Sequence, residues 1–227
     1  MRSKKVICLE GIVGAGKTTQ IELLYKEFSP DCYLMPELNE ISPMKEVRED
    51  LKKTGRISNM TNQDVLRLIR ARGEIHQRLL PESNSHLALM DRGIYTGMVF
   101  ESGEMNMWEV EQISKKEGVI VPDLCFILYC DSAKALERVD ERRIRVGKYK
   151  HRAFHENAEY IERTKEKYFD IAKENGYGYI LRIVGRNNNT EKETLKQIAE
   201  DSRLDKRYTE VAKTALEHGS KRANNLV

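Results

Sequence analysis

The sequence predicts an α/β fold in which a parallel sheet is covered by helices on both faces, and two observations carry that prediction. Five short apolar runs, Val6–Leu9, Cys32–Met35, Leu87–Met90, Leu124–Cys130 and Tyr179–Val184, alternate with stretches of helical periodicity, the pattern of parallel strands joined by crossover helices. The first run leads into Gly11-Ile12-Val13-Gly14-Ala15-Gly16-Lys17-Thr18, a full match to the phosphate-binding pattern GxxxxGK[ST]. Thr18–Leu24 then reads as the first turns of an amphipathic helix, so the motif has both the strand before it and the helix after it that its chemistry requires.

The loop predicts a donor-nucleotide site. Gly11, Gly14 and Gly16 permit positive φ and let the backbone N–H groups of Gly11, Val13, Gly14, Ala15 and Gly16 close around phosphate oxygens at a helix N-terminus. Lys17 would reach the β- and γ-phosphates of ATP, Thr18 would hold Mg²⁺ through its hydroxyl, and Thr19 extends the same turn. This places the chain in the P-loop NTPase fold class with a five-stranded sheet.

The remaining elements follow in order. Asn62–Leu80 carries Val65, Leu66, Leu68, Ile69, Ile75 and Leu79 at helical spacings, with Pro81 closing it. Further helices are expected over about Ser132–Arg145 and Asn157–Glu174. After the fifth run Asn187-Asn188-Asn189 reads as a loop, and Thr190-Glu191-Lys192-Glu193 as a capping box opening a last helix. From about Asp205 the chain is highly polar. No repeat or linker divides the 227 residues, so one domain is expected: a P-loop unit over 1–186, including a basic segment at about 138–155, and a C-terminal helix and polar extension of the same domain over 187–227.

Composition narrows the function classes. Charged residues make up 33% in both signs for a net charge of +3, which argues against a general nucleic-acid binder and leaves only local basic runs to consider. No apolar run approaches the ~18 residues needed to span a bilayer. Cys8, Cys32, Cys125 and Cys130 have no CxxC or Cys/His spacing and read as buried thiols in a reducing compartment, so a cytoplasmic protein without a membrane partner is expected.

Other residues carry the acceptor chemistry. Asp91 emerges at the C-terminal end of the Leu87–Met90 strand, the edge where open α/β sheets bind ligands. It either joins the Mg²⁺ shell or ends the strand in a salt bridge, and Arg92 beside it can grip a second phosphate. From Arg138 to Arg152 there are seven Lys/Arg residues, with Arg138, Arg142 and Arg145 on one helix face. That run suits a closing lid over the transferred phosphoryl group, the competing readings being a solvated basic face or a nucleic-acid patch. Glu37 ends the second strand and could bind an acceptor sugar, take a hydroxyl proton or cap a turn. Arg72 could hydrogen-bond a base, whereas His76, one turn on, reads as a packing or surface residue.

Taken together, these segments resemble the thymidylate kinase family, over roughly residues 4 to 186. The carriers are Glu10-Gly11 leading into Gly14-Ala15-Gly16-Lys17-Thr18-Thr19-Gln20, then Asp91-Arg92, Pro122-Asp123-Leu124, Ala135-Leu136-Glu137-Arg138-Val139 with Arg142, and Glu159-Tyr160-Ile161-Glu162-Arg163 with Tyr168. The resemblance implies phosphorylation of dTMP to dTDP by ATP with Mg²⁺, the sheet order 2-3-1-4-5, and a homodimer. It implies that Arg92 binds the acceptor phosphate, Arg72 contacts the base, Arg138 stacks near adenine, and Arg142, Arg145 or Arg152 belongs to the lid.

Three positions depart from the family pattern. Val13 stands where a carboxylate is usual inside the loop, Leu68 where an aromatic ring stacks on thymine, and Pro36-Glu37-Leu38 where Arg-Glu-Pro is usual. Without a ring at 68, stacking worth up to ~1 to 3 kcal/mol is missing unless Tyr95 or Phe100 supplies it. The apolar residue at 13, the Pro-Glu pair and Phe100-Glu101-Ser102-Gly103 resemble deoxynucleoside kinases instead, where the glutamate activates a sugar hydroxyl. The small-molecule acceptor is therefore a nucleoside monophosphate or a nucleoside, and a third reading is a P-loop ATP-binding regulatory or nucleic-acid-linked protein.

Overall fold

The computed structural model describes residues 4–82, 85–145, 157–175, 178–182 and 196–200, together with Thr209 and Lys213. The elements run β1 (Lys5–Gly11), α1 (Lys17–Phe28), β2 (Cys32–Leu34), α2 (Met44–Lys53), α3 (Asn62–Glu82), β3 (Leu87–Asp91), α4 (Ile94–Phe100), α5 (Met107–Lys116), β4 (Leu124–Tyr129), α6 (Ser132–Arg145), α7 (Ala158–Asn175) and β5 (Gly178–Arg182). The strands form one five-stranded sheet in the order β2-β3-β1-β4-β5. Every pairing is parallel, so all the strands end on the same edge.

Alternation along the central strands decides which helices cover which face. Ile7, Leu9, Leu87, Leu89, Leu124, Phe126 and Leu128 point to one side and pack with Ile21, Leu24 and Phe28 of α1 and Ala135 of α6. Val6, Cys8, Ala88, Met90, Cys125 and Ile127 point to the other and pack with Leu68 and Ile69 of α3, Tyr95 and Met98 of α4, and Tyr168 of α7. The four cysteines are free and buried. Residues 196–200 are helical, and Ile198 is fully buried in the α1-side cluster.

The differences from the sequence expectation lie at element ends and in short helices. Helix α3 runs to Glu82, past Pro81; a proline in the last turn forfeits a single backbone hydrogen bond, so it does not stop the helix there. Three helices, α2, α4 and α5, are additional to those the sequence predicts. Helix α2 is mostly charged, burying only Met44 and Leu51, and α4 has seven residues with Gly97 in its middle. Helix α5 did carry a signal: Asn106 and Glu109 form a capping box, with the Trp108 N–H donating to Asn106 Oδ1 at 2.9 Å and the Asn106 N–H to Glu109 Oε2 at 3.2 Å. The expected lid segment beyond Arg145, Arg152 included, the capping box at Thr190–Glu193 and most of the polar extension lie outside the described residues.

Three polar contacts fix the bottom of the sheet. The Asp123 N–H donates to Val6 O at 2.9 Å, and Asp123 in turn accepts from the Val6 N–H at 2.8 Å and from Lys5 Nζ at 2.6 Å. Strands β1 and β4 are thereby clamped in register below the site edge, where Gly11 lies opposite Leu128 and Leu9 opposite Asp91.

Candidate active site

The loop from Gly11 to Thr18 joins β1 to α1 on the shared strand edge. Two of its glycines are required by close approach. Gly11 has φ of 128°, and a Cβ there would lie 1.9 Å from Leu128 O; Gly14 has φ of 75°, and a Cβ would lie 2.4 Å from Ala135 O. The loop is thus pressed between the end of β4 and the first turn of α6. Arg138 tightens the contact by donating to Gly14 O at 3.3 Å, so this arginine is bound to the phosphate loop itself.

Lys17 folds back over the loop, donating through Nζ to Ile12 O at 2.8 Å and Gly11 O at 3.1 Å, and is only 6% exposed. Burial, followed by the neighbouring Arg92 cation, pulls its pKa down to about 7; Asp91 and Glu10 oppose that shift and Arg142 adds to it. A phosphate in place of the carbonyls would recharge a cation poised near half charge at neutral pH.

Opposite Lys17, Thr18 Oγ1 donates to Asp91 Oδ2 at 2.9 Å. Asp91 Oδ1 is buried without a hydrogen-bond partner. A buried carboxylate oxygen left open beside a hydroxyl is a suitable ligand pair for a hard divalent cation, whose preferred donors are oxygens. Of the two readings of Asp91 from the sequence, the geometry favours the cation shell over a strand-ending ion pair.

Arg92 follows with φ of 72°, the left-handed region, the single non-glycine residue there among the described residues. Its N–H donates to Leu9 O at 3.0 Å, its guanidinium sits 5.6 Å over the Phe100 ring, and one guanidinium nitrogen donates to Thr96 Oγ1 at 3.4 Å. Phe100 is itself stacked on Tyr160 and meets Tyr168 edge-on, each at 6.2 Å. Strain of this kind persists where surroundings hold it and clusters at functional sites.

Beneath Arg92 lies a carboxylate whose role sequence reasoning missed. Glu10 is fully buried; its Oε1 accepts from the N–H groups of Gly93 at 2.7 Å and Thr96 at 3.0 Å, and its Oε2 accepts from Thr96 Oγ1 at 2.6 Å and Tyr168 Oη at 3.0 Å. Its signals in the sequence were a charged residue after the apolar run Val6–Leu9 and its place in Glu10-Gly11 among the segments that resemble the family.

The thymidylate kinase family pattern matches residues 9–198 of this chain. The chain belongs to the thymidylate kinase family. Among similar proteins, a probable thymidylate kinase of Methanosphaera stadtmanae is 33% identical over 179 residues, covering 74% of this chain and 83% of the relative. Another, from Methanocaldococcus jannaschii, is 28% identical, covering 77% and 84%. In fold the chain is similar to the crystal structure of thymidylate kinase from Ehrlichia chaffeensis, with a TM-score of 0.61 at 21% identity over 86% of this chain and 97% of that one. A kinase-type phosphotransferase on a P-loop scaffold is what membership in this family establishes, and neither the deoxynucleoside kinase nor the non-enzymatic reading is favoured by the match.

Two residues expected at the acceptor are packed inside. Leu68, expected against the acceptor base, is fully buried in the core beside Ile69 and Val65. Arg72 is 3% exposed and donates to Glu101 Oε2 at 2.6 Å, while Arg48 from α2 donates to Glu101 Oε1, also at 2.6 Å. Burial pushes the Glu101 carboxyl up, but the two arginines outweigh it and hold it below the ordinary carboxylate range. Gly97 makes room for this arrangement, since a Cβ there would lie 2.7 Å from an Arg72 guanidinium nitrogen.

Other expected site residues are more open. Glu37 is exposed at the start of a short 3-10 turn over Leu38–Glu40, with a long 3.5 Å contact from Asn39 Nδ2. Arg142 and Arg145 lie exposed in the last turn of α6. Val13 is half-buried on the loop and Thr19 exposed behind it. His76 is a packing residue: its Nδ1 accepts from the Ile120 N–H at 3.0 Å, and burial with the nearby Arg72 cation lowers its pKa to about 3, leaving it neutral. Among the described residues no helix is long and apolar enough to cross a membrane.

Proposed function

We propose that the protein transfers the γ-phosphoryl group of ATP to the phosphate of dTMP, giving dTDP. The observation that carries this reading is the placement of Thr18, Asp91 and Arg92 along one strand edge: a hydroxyl and an open carboxylate oxygen for Mg²⁺, and next to them a held arginine for a second phosphate. Lys17 and the loop N–H groups would bind the donor phosphates, with Arg138 bracing the loop from α6. Bound between Thr18 and Asp91, Mg²⁺ would offset charge on the β- and γ-phosphates. Arg92 would hold the acceptor phosphate in line, and Arg142, Arg145 and Arg152 would neutralise the transferring group as they close. The acceptor phosphate is already an anionic nucleophile, so positioning and charge compensation suffice and Glu37 is not needed as a base. Phe100 and Arg72 are the acceptor-side residues nearest to a base-binding role, and a homodimer accompanies this reading by family resemblance.

The test is a panel of nucleosides and nucleoside monophosphates with ATP and Mg²⁺, with Lys17→Ala as control. Turnover of dTMP but not thymidine, lost at least ~10³-fold in Lys17→Ala, is the expected outcome. Phosphorylation of thymidine with loss in Glu37→Gln would overturn the acceptor assignment.

A further inference from the structure

Tyr168 lies in α7, 158 residues along the chain from Glu10 and fully buried. Its hydroxyl donates to Glu10 Oε2 at 3.0 Å and lies 3.4 Å from Thr96 Oγ1, and its ring edge meets Phe100. Each of these partners leads to Arg92. Phe100 is the ring under the guanidinium, Thr96 Oγ1 accepts from it, and Glu10 holds the N–H of Gly93, the residue that follows Arg92.

The direction of the protons makes the network specific. A carboxylate only accepts, so Thr96 and Tyr168 both spend their hydroxyl hydrogens on Glu10 Oε2, and the lone pairs of Thr96 Oγ1 are left facing Arg92. The backbone of Arg92 is held on both sides: its own N–H by Leu9 O and the next N–H by Glu10. Glu10 also directly precedes Gly11, the first residue of the phosphate loop. One buried carboxylate therefore ties the acceptor-side arginine to the strand that delivers the donor loop.

We infer that Tyr168 is a positioning residue for Arg92, acting through Glu10 and Thr96 with its hydroxyl and through Phe100 with its ring. This rests on the reading in which Arg92 binds the acceptor phosphate. Tyr168 touches neither substrate; it sets the angle at which Arg92 meets the acceptor.

Tyr168→Phe removes one hydroxyl and keeps the ring. The expected result is a rise of about five- to tenfold in KM for dTMP, the effect of one misplaced hydrogen bond, with the ATP Kd within twofold of wild type. The Arg92→Ala background loses turnover, so the cycle is read there as the dTMP Kd by calorimetry: Tyr168→Phe should weaken dTMP binding in wild type and add nothing in Arg92→Ala, because a positioning residue has no effect once the group it positions is gone. An equal effect in both backgrounds, an equal shift in ATP affinity, or no change in KM would each overturn the inference, since a residue that only packs the core acts independently of Arg92. If Tyr168→Phe does not fold, Thr96→Val cuts the same relay at its other hydroxyl and takes the same cycle. Failure of wild-type protein on dTMP would instead overturn the functional reading, and the cycle would then be measured with the acceptor that the panel identifies.

Discussion

The proposed donor and acceptor sides of the site are built in opposite ways. The donor side is one contiguous segment, Gly11 to Thr18, which would offer phosphate its backbone N–H groups and one lysine. The acceptor side is assembled from distant parts of the chain: Arg48 from α2, Arg72 from α3, Arg92 after β3, and Glu101 just beyond α4, with 53 residues separating Arg48 from its carboxylate. Charge is handled differently as well. On the donor side a buried cation is partly discharged, Lys17 with its pKa near 7. On the acceptor side arginines, which cannot lose their protons, are held instead: the buried Arg72 and the half-buried Arg48 by Glu101, and the half-buried Arg92 by the ring and hydroxyl beneath it. A loop that binds any nucleoside triphosphate can be local and generic, whereas a surface that distinguishes acceptors needs fixed charges held from several directions.

The largest expected effect tests the acceptor half. Glu101 is buried between two arginines, with its side chain 8% exposed against 4% for Arg72. Glu101→Ala leaves those cations unpaired and should destabilise the protein by about 3 to 5 kcal/mol, measured by urea denaturation at pH 7. The pH dependence has a definite sign. Because the folded carboxyl titrates below its ordinary value of 4.5, its contribution is fully present above that value and disappears as pH falls through the lower folded value. The wild-type advantage over Glu101→Ala should therefore shrink only in that acid window. An advantage that stayed constant there would mean the pair is not ionic and would remove the contrast in charge handling.

The donor half gives a smaller effect of opposite direction in pH. Free Lys17 titrates at about 7, and a bound polyphosphate raises that value. The complex therefore binds more protons than the free protein, and ATP affinity should fall as pH rises above about 7. The slope approaches tenfold per pH unit at most, because one proton is linked, and levels off at the pKa of the complex. Calorimetry at pH 8 in two buffers of different ionisation enthalpy should show proton uptake on ATP binding. Proton release, or affinity independent of pH between 7 and 9, would place the lysine among fully charged groups like the acceptor arginines.

The same contrast explains what could be read from the sequence. The five strands, the phosphate loop and α6 are encoded by short-range pattern: apolar runs, a fixed spacing of glycines, and arginines three and four residues apart. Asp91 was legible because it ends a strand. The partnership of Arg72 with Glu101 and Arg48 was not, since each lies on a different element and nothing in local spacing couples them. Glu10 was legible only as part of the family resemblance, with no role, because its importance depends on Thr96 and Tyr168 arriving from elsewhere. Leu68 shows the converse limit: its helical position was legible, but whether that face meets a ligand or the core is decided by packing against the sheet.

The smallest effect bears on how the acceptor side is held. Arg92 occupies φ of 72°, a conformation that costs a residue with a Cβ roughly 1 to 2 kcal/mol and glycine almost nothing. Arg92→Ala and Arg92→Gly both delete the guanidinium, its contact with Phe100 and its bond to Thr96, so those losses cancel when the two variants are compared. What remains is backbone strain, which alanine retains and glycine relieves, less about 0.4 to 1 kcal/mol for the greater freedom of glycine in the unfolded chain. Arg92→Gly should thus be more stable than Arg92→Ala by about 1 kcal/mol in denaturant midpoints, while both lose phosphotransfer to the same extent. Equal stabilities would mean that the turn relaxes when the side chain is gone, and that the guanidinium itself, rather than the buried network around Glu10, holds the backbone. A more stable but equally inactive glycine variant would show that the acceptor arginine is kept in an unfavourable backbone state by its surroundings, whereas the donor loop reaches its own positive-φ positions through glycines that adopt them freely.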